Sequence, residues 1–134
     1  MTQEDKELLS KDLSARLPYG ICVNLPNHHL VSHKYVIYDI NIKNGWTTGL
    51  LDCAGRIQIY GAKVEDIKPY LRPMSSMTEE EERELAEINC QGTLAEHKYA
   101  IFYRSQDWLN YYHFDYRGLI EKGLALEAPE GMYS

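Results

Sequence analysis

Apolar residues recur every four positions near the start of the chain, Leu9, Leu13 and Leu17, with Leu8 widening the stripe. That period predicts an amphipathic helix of about four turns. Thr2, with Asp5 three residues on, supplies a capping signal. Leu17-Pro18-Tyr19-Gly20 must end the helix: the proline biases its predecessor away from helical geometry, and the glycine permits an abrupt turn. The pattern then changes to the strand period, rich in β-branched and aromatic residues. Ile21–Leu25 is the first candidate strand, Pro26-Asn27-His28-His29 a turn, and Tyr35–Ile42 a long strand with Val36, Tyr38, Ile40 and Ile42 on the expected core face. Lys43-Asn44-Gly45 is a hairpin signal, because Asn-Gly tolerates the positive φ angles of a type I′ turn. Trp46–Cys53 should return antiparallel, and Arg56–Tyr60 should complete a meander.

Beyond the single helical turn expected at Val64–Ile67, the stretch from Ile67 to Thr78 holds Pro69 and Pro73. Each proline fixes φ and lacks an N–H, so this reads as an extended strap, pinned by Tyr70, Leu71 and Met74 with Arg72 facing out. Thr78 with Glu81 fits a second capping box, opening a helix to about Cys90 whose apolar residues, Leu85, Ala86 and Ile88, all lie in its second half. Thr93–Lys98 reads as a loop and Tyr99–Tyr103 has strand composition. Ser105 should cap a helix bearing Trp108, Leu109, Tyr112 and His113, and a short helix, Asp115–Lys122, should end at Gly123. Leu124-Ala125-Leu126 is a candidate closing strand. These elements predict an α+β fold: an N-terminal helix, a small antiparallel meander or SH3-like curled sheet or barrel, then a C-terminal part with short helices. A single domain is expected, divided into helix plus meander (1–66), strap (67–78) and a mainly helical part (79–134).

Charge sharpens this picture. The first 73 residues hold nine basic and eight acidic side chains and the rest five and twelve, so the second part carries −7 against +1 in the first, giving the formal −6. Nucleic-acid affinity comes mainly from basic groups that displace counterions, so net charge disfavours a nucleic-acid partner. The alternative survives only in the near-neutral half, where Lys34, Lys43, Arg56 and Lys63 with Tyr35, Tyr38 and Tyr60 would form a basic aromatic strip. Cys22, Cys53 and Cys90 are odd in number and fit no C-x-x-C pattern, which favours a reducing compartment. No leader pattern precedes the first helix, and the longest wholly apolar or aromatic run, Tyr99–Tyr103, is far short of the roughly 20 residues of a membrane helix. A cytoplasmic protein without membrane contact is expected.

Candidate chemistry is thin. His28, His29 and His33 cluster, but no acid or cysteine beside them completes a metal shell, and a solvated loop is the plainer reading. Cys53 precedes Ala54-Gly55 without a base set by spacing, and a buried strand cysteine is usually inert. No G-x-S-x-G, Walker or G-x-G-x-x-G pattern occurs, so no catalytic residue, cofactor or metal is expected. The acids from Glu79 to Glu84, broken only by Arg83, suit a solvated helix start or attract a basic partner. Eleven tyrosines against two phenylalanines favour surfaces with an apolar body and a wet tip. The densest aromatic run is Trp108, Tyr111, Tyr112, His113, Phe114 and Tyr116, in which Tyr111, His113 and Tyr116 are the candidate contact residues.

Residues 64–81 and 115–133, with Ala15-Arg16-Leu17-Pro18-Tyr19-Gly20, resemble a group of small uncharacterised proteins from gut Bacteroidales genomes and their mobile elements. The resemblance implies an intracellular accessory protein of a mobile element or phage and supplies no catalytic residue. A non-enzymatic interaction module, binding a protein partner or forming a homodimer, is therefore the expectation.

Overall fold

The computed structural model describes residues 1–24, 35–41, 46–51, 60–90 and 98–133. Helix α1, Gln3–Arg16, begins in a complete capping box, the Thr2 hydroxyl accepting from the Asp5 amide and the Asp5 carboxylate accepting from Thr2. It ends in a 3-10 turn, Leu17–Tyr19, followed by Gly20 at φ 69°. The expected stripe is buried: Leu9 and Leu13 are fully covered, with Leu8 and Leu17 packed at the edge. Asp12 and Arg16 are buried on the same side, a feature the apolar period does not foretell.

The strands are β1 (Cys22–Asn24), β2 (Tyr35–Asn41), β3 (Trp46–Leu51), β4 (Tyr60–Lys63), β5 (Lys68–Leu71) and β6 (Leu126–Glu127). They form one sheet in the order β4-β3-β2-β1-β5-β6. The first four make the expected antiparallel meander, β2 and β3 meeting at Asn41↔Trp46 across the expected hairpin. The hairpin turn itself, the Pro26–His29 turn, most of Arg56–Tyr60 and most of the Thr93–Lys98 loop lie outside the described residues. Among the described residues β4 and β6 are the edges and do not pair, so the sheet is open and the expected barrel is not formed.

The face assigned to β2 needs correction, because Ile37 is buried where Val36 is only half-covered. The register shifts between Ile37 and Asp39, and such a bulge resets the alternation on which the assignment rested. Ile37 lies opposite Ile21, its amide donating to the Ile21 carbonyl. With Val23, Ile67 and Leu71 these residues build the core that α1 covers.

The strap also proves to be a strand at its centre. Pro69 lies in β5, opposite Val23 of β1. The Tyr70 carbonyl faces β1 and the Leu71 carbonyl faces β6, where it accepts from the Ala128 amide. By strand alternation Pro69 points toward β6, whose pairing begins only at Tyr70, so its missing N–H costs no ladder bond. The bonding row of β5 that faces β1 ends in an unusual way. At Tyr70 the partner is the Tyr133 hydroxyl, which accepts from the Cys22 amide (3.1 Å) and donates to the Tyr70 carbonyl (2.6 Å). At Arg72 it is the backbone of the 113–115 segment: the Arg72 amide donates to the His113 carbonyl and the Asp115 amide to the Arg72 carbonyl. Met74, expected to pin the strap, is 42% exposed.

Helix α2, Glu79–Cys90, starts in the expected Thr78–Glu81 box, and none of its residues is buried. Helix α3 is Lys98–Tyr111, overturning both the strand composition of Tyr99–Tyr103 and the start at Ser105. Five consecutive apolar and aromatic residues are too few to show a period that separates helix from strand, and here they form the opening turns of α3. The short helix expected at Asp115–Lys122 is a series of turns. Gly118 at φ 74° breaks the helical path, and the Asp115 carboxylate braces the turn by accepting from the Leu119 and Ile120 amides. Gly123 does close it: its amide donates to Ile120 and that of Leu124 to Leu119, the Schellman pattern.

Candidate interaction surface

Helices α2 and α3 lie antiparallel, joined by Ser105 Oγ to Asn89 Oδ1 (2.6 Å) and Trp108 Nε1 to Glu84 Oε2 (3.2 Å). The side of α3 turned inward is aromatic. Trp108 stacks on Phe114 with planes 9° apart and centroids 5.7 Å apart, and the Arg72 guanidinium sits 4.1 Å from the Phe114 centroid. Both Arg72 Nη atoms donate to Glu81 at 2.7 Å, a fork that holds the Glu81 carboxyl at about 2, well below its usual range. Arg72 thus ties the end of β5 to the first turn of α2, rather than facing out.

Three large rings of α3 stand in water: Tyr103 at 63% exposure, Tyr111 at 60% and, about 100° round the helix from Tyr103, Phe102 at 57%. Tyr103, Asp107 and Tyr111 succeed one another at intervals of four and so share a helix face. Phe102 meets Tyr103 edge-on at 5.9 Å, and Tyr19, from the turn after α1, meets Tyr111 edge-on at 6.1 Å. Partial burial and the neighbouring Asp107 carboxylate raise the Tyr19 phenol above its ordinary value.

The remaining candidates separate. His113 is 7% exposed and is no contact residue. It occupies the C′ position of α3 with φ 64°, its amide donating to Asn110 and the next, of Phe114, to Leu109. Its ring stacks on Tyr133 at 3.7 Å. Burial, then the charges of Arg16 and Arg72, lower its pKa to about 4. Tyr116 is half-buried and its hydroxyl donates to Asn110. Tyr35, Tyr38 and Tyr60 lie in β2 and β4, and of their side chains nothing is described. Lys34, Lys43, Arg56, Cys53 and the three histidines of 28–33 lie outside the described residues; Lys63, at the end of β4, is exposed. The basic strip is therefore not assembled by what is described.

Behind this surface lies a buried polar knot that sequence reasoning missed. Asp12 accepts from Arg16 Nε (2.8 Å), Arg16 Nη2 (3.1 Å) and Arg117 Nη1 (2.8 Å), and Arg16 Nη2 also donates to the Phe114 carbonyl. Asp12 four residues before Arg16, on the face of Leu9 and Leu13, was the available signal. Arg16 and Arg117 both approach the Tyr116 ring, at 5.2 and 4.7 Å. The knot fastens α1 to the turns that follow α3, and Arg16 Nη1 is left buried in it without a hydrogen-bond partner among the described residues.

Beside the first turn of α2 opens a cleft of about 630 Å³, walled by Arg72, Glu81 and Tyr112 on one side and by the 127–133 segment on the other. Tyr112, on the cleft wall, packs against both Trp108 and the exposed Tyr111 ring.

Comparison with known proteins finds no matching family model, no similar curated protein and no similar solved structure. No helix among the described residues is long and apolar enough to cross a membrane.

Proposed function

We propose that the protein is a non-enzymatic interaction module that meets a protein partner, or a second copy of itself, through the outer face of α3. The observation that carries this reading is the exposure of Phe102, Tyr103 and Tyr111 together on one helix. Of these, Tyr103 and Tyr111 share one face of the helix, and Tyr is among the residues that dominate interface energetics. The acidic second half favours a protein over a polyanion. The resemblance of residues 15–20, 64–81 and 115–133 to proteins of mobile elements supports an accessory role in such an element or phage.

Size-exclusion chromatography with light scattering, followed by affinity capture, tests the reading on the wild type and on Tyr103→Ser/Tyr111→Ser. Self-association or a retained protein that the double variant loses supports it. A strict monomer that retains nothing, or retention unchanged by the variant, counts against it.

A further inference from the structure

We infer that the cleft between the first turn of α2 and the 127–133 segment takes a basic peptide segment, with a Lys or Arg side chain lying against Tyr112. This rests on the interaction reading and names the chemistry of the partner. At about 630 Å³ the space is within the usual range of ligand sites.

The wall decides the sign of the guest. Among the described residues its only basic side chain, Arg72, is committed through both Nη atoms to Glu81, so an anion finds no uncommitted cation among them. Glu127 and Glu130, on the opposite wall, are exposed, and neither makes an ion pair or hydrogen bond among the described residues. A cation entering between the walls meets two uncommitted carboxylates. The potential extends to the aromatic wall: after burial, Glu84 and then Tyr111, Glu81 and Glu80 raise the Tyr112 phenol. Pro129, Ala128 and Met132 offer apolar surface for the methylene stem of Lys or Arg, and the Tyr112 ring offers a cation–π face. Tyr112 contacts Tyr111 at 4.9 Å, so a peptide seated in the cleft runs on over the exposed face of α3.

The test titrates the full chain into a fluorescein-labelled Gly-Arg-Lys-Arg-Gly peptide, read by anisotropy at low ionic strength, with Gly-Glu-Asp-Glu-Gly as counter-probe. Saturable binding of the basic peptide alone is expected, weakening as salt rises. Glu127→Gln/Glu130→Gln should weaken it about tenfold. Glu4→Gln/Glu7→Gln, which removes the same charge from α1, should leave it unchanged. Both pairs change exposed side chains, and unchanged urea midpoints verify the fold. Absence of saturable binding, or equal loss in both pairs, overturns the assignment. Loss of a captured partner in Tyr103→Ser/Tyr111→Ser without peptide binding would remove the cleft proposal and leave the interaction reading standing; failure of both experiments removes both.

Discussion

Tyr133→Phe isolates one oxygen atom. The hydroxyl stands where a direct bond between β1 and β5 would fall, accepting from the Cys22 amide at 3.1 Å and donating to the Tyr70 carbonyl at 2.6 Å. Phenylalanine keeps the ring and its 3.7 Å stack on His113, so the change removes both hydrogen bonds and little else. A hydrogen bond contributes about 0.5–1.5 kcal/mol net, and a buried group that loses its partner costs about 1–3 kcal/mol. Cys22 is buried and Tyr70 half-covered, so the expected loss is about 2–3 kcal/mol. Burial also holds the phenol far above its ordinary pKa, so the neutral donor form persists across the neutral range. Urea titration followed by far-UV circular dichroism measures the loss as a lower midpoint at unchanged slope. Tyr103→Phe, which removes a hydroxyl from an exposed ring, is the control and should change stability by less than about 0.5 kcal/mol. If Tyr133→Phe behaves like that control, the hydroxyl does not complete the sheet.

Asp12→Ala leaves two guanidinium groups facing each other inside the molecule and should cost about 3–5 kcal/mol in the same titration, whereas Asp12→Leu/Arg16→Met should recover part of that loss. Leu71→Ala, at a fully buried position of β5, should cost about 2–5 kcal/mol, against about 1 kcal/mol for Thr78→Ala at the cap of α2; equal small losses would mark the strap as a loose linker. Glu81 has its carboxyl lowered from 4.5 to about 2 in the folded state, so its ion pair stabilises fully above pH 4.5 and is lost as pH falls through about 2. Glu81→Gln should therefore lower stability at neutral pH and reduce the acid-induced loss over that window. Folded His113 resists protonation until about pH 4, while the unfolded chain binds that proton near 6.5, so stability should fall as pH drops from 6.5 to 4. His113→Asn, which tolerates the left-handed backbone, should flatten urea midpoints over this range; an unchanged slope would contradict the burial of His113.

What could be read ahead of the structure follows the range over which each signal acts. The capping boxes at Thr2 and Thr78 are closed within four residues, and both formed as read. The hairpin between β2 and β3 likewise follows from a local turn signal with strands on either side. Where the outcome depended on a distant partner, local rules misled. Pro69 argues against a strand until the positions of β1 and β6 show that its missing N–H points to no ladder bond. His113 takes a left-handed position usually left to Gly or Asn, and nothing in its neighbours announces it. Arg117 reaches Asp12 across 105 positions of chain, a pairing no spacing rule reaches. Of the exposed rings, Tyr111 was legible because it closes an aromatic helix. Tyr103 and Phe102 were missed because five residues of strand composition conceal a helical face.

The central claim, that the outer face of α3 is the contact surface, is tested most directly by radical footprinting of the isolated chain and of the chain bound to whatever it captures. The account predicts that Tyr103 and Tyr111 label readily alone and are protected in the complex, while Phe114, buried in both, labels in neither. Unchanged labelling of these two rings in a complex that protects another surface would contradict it.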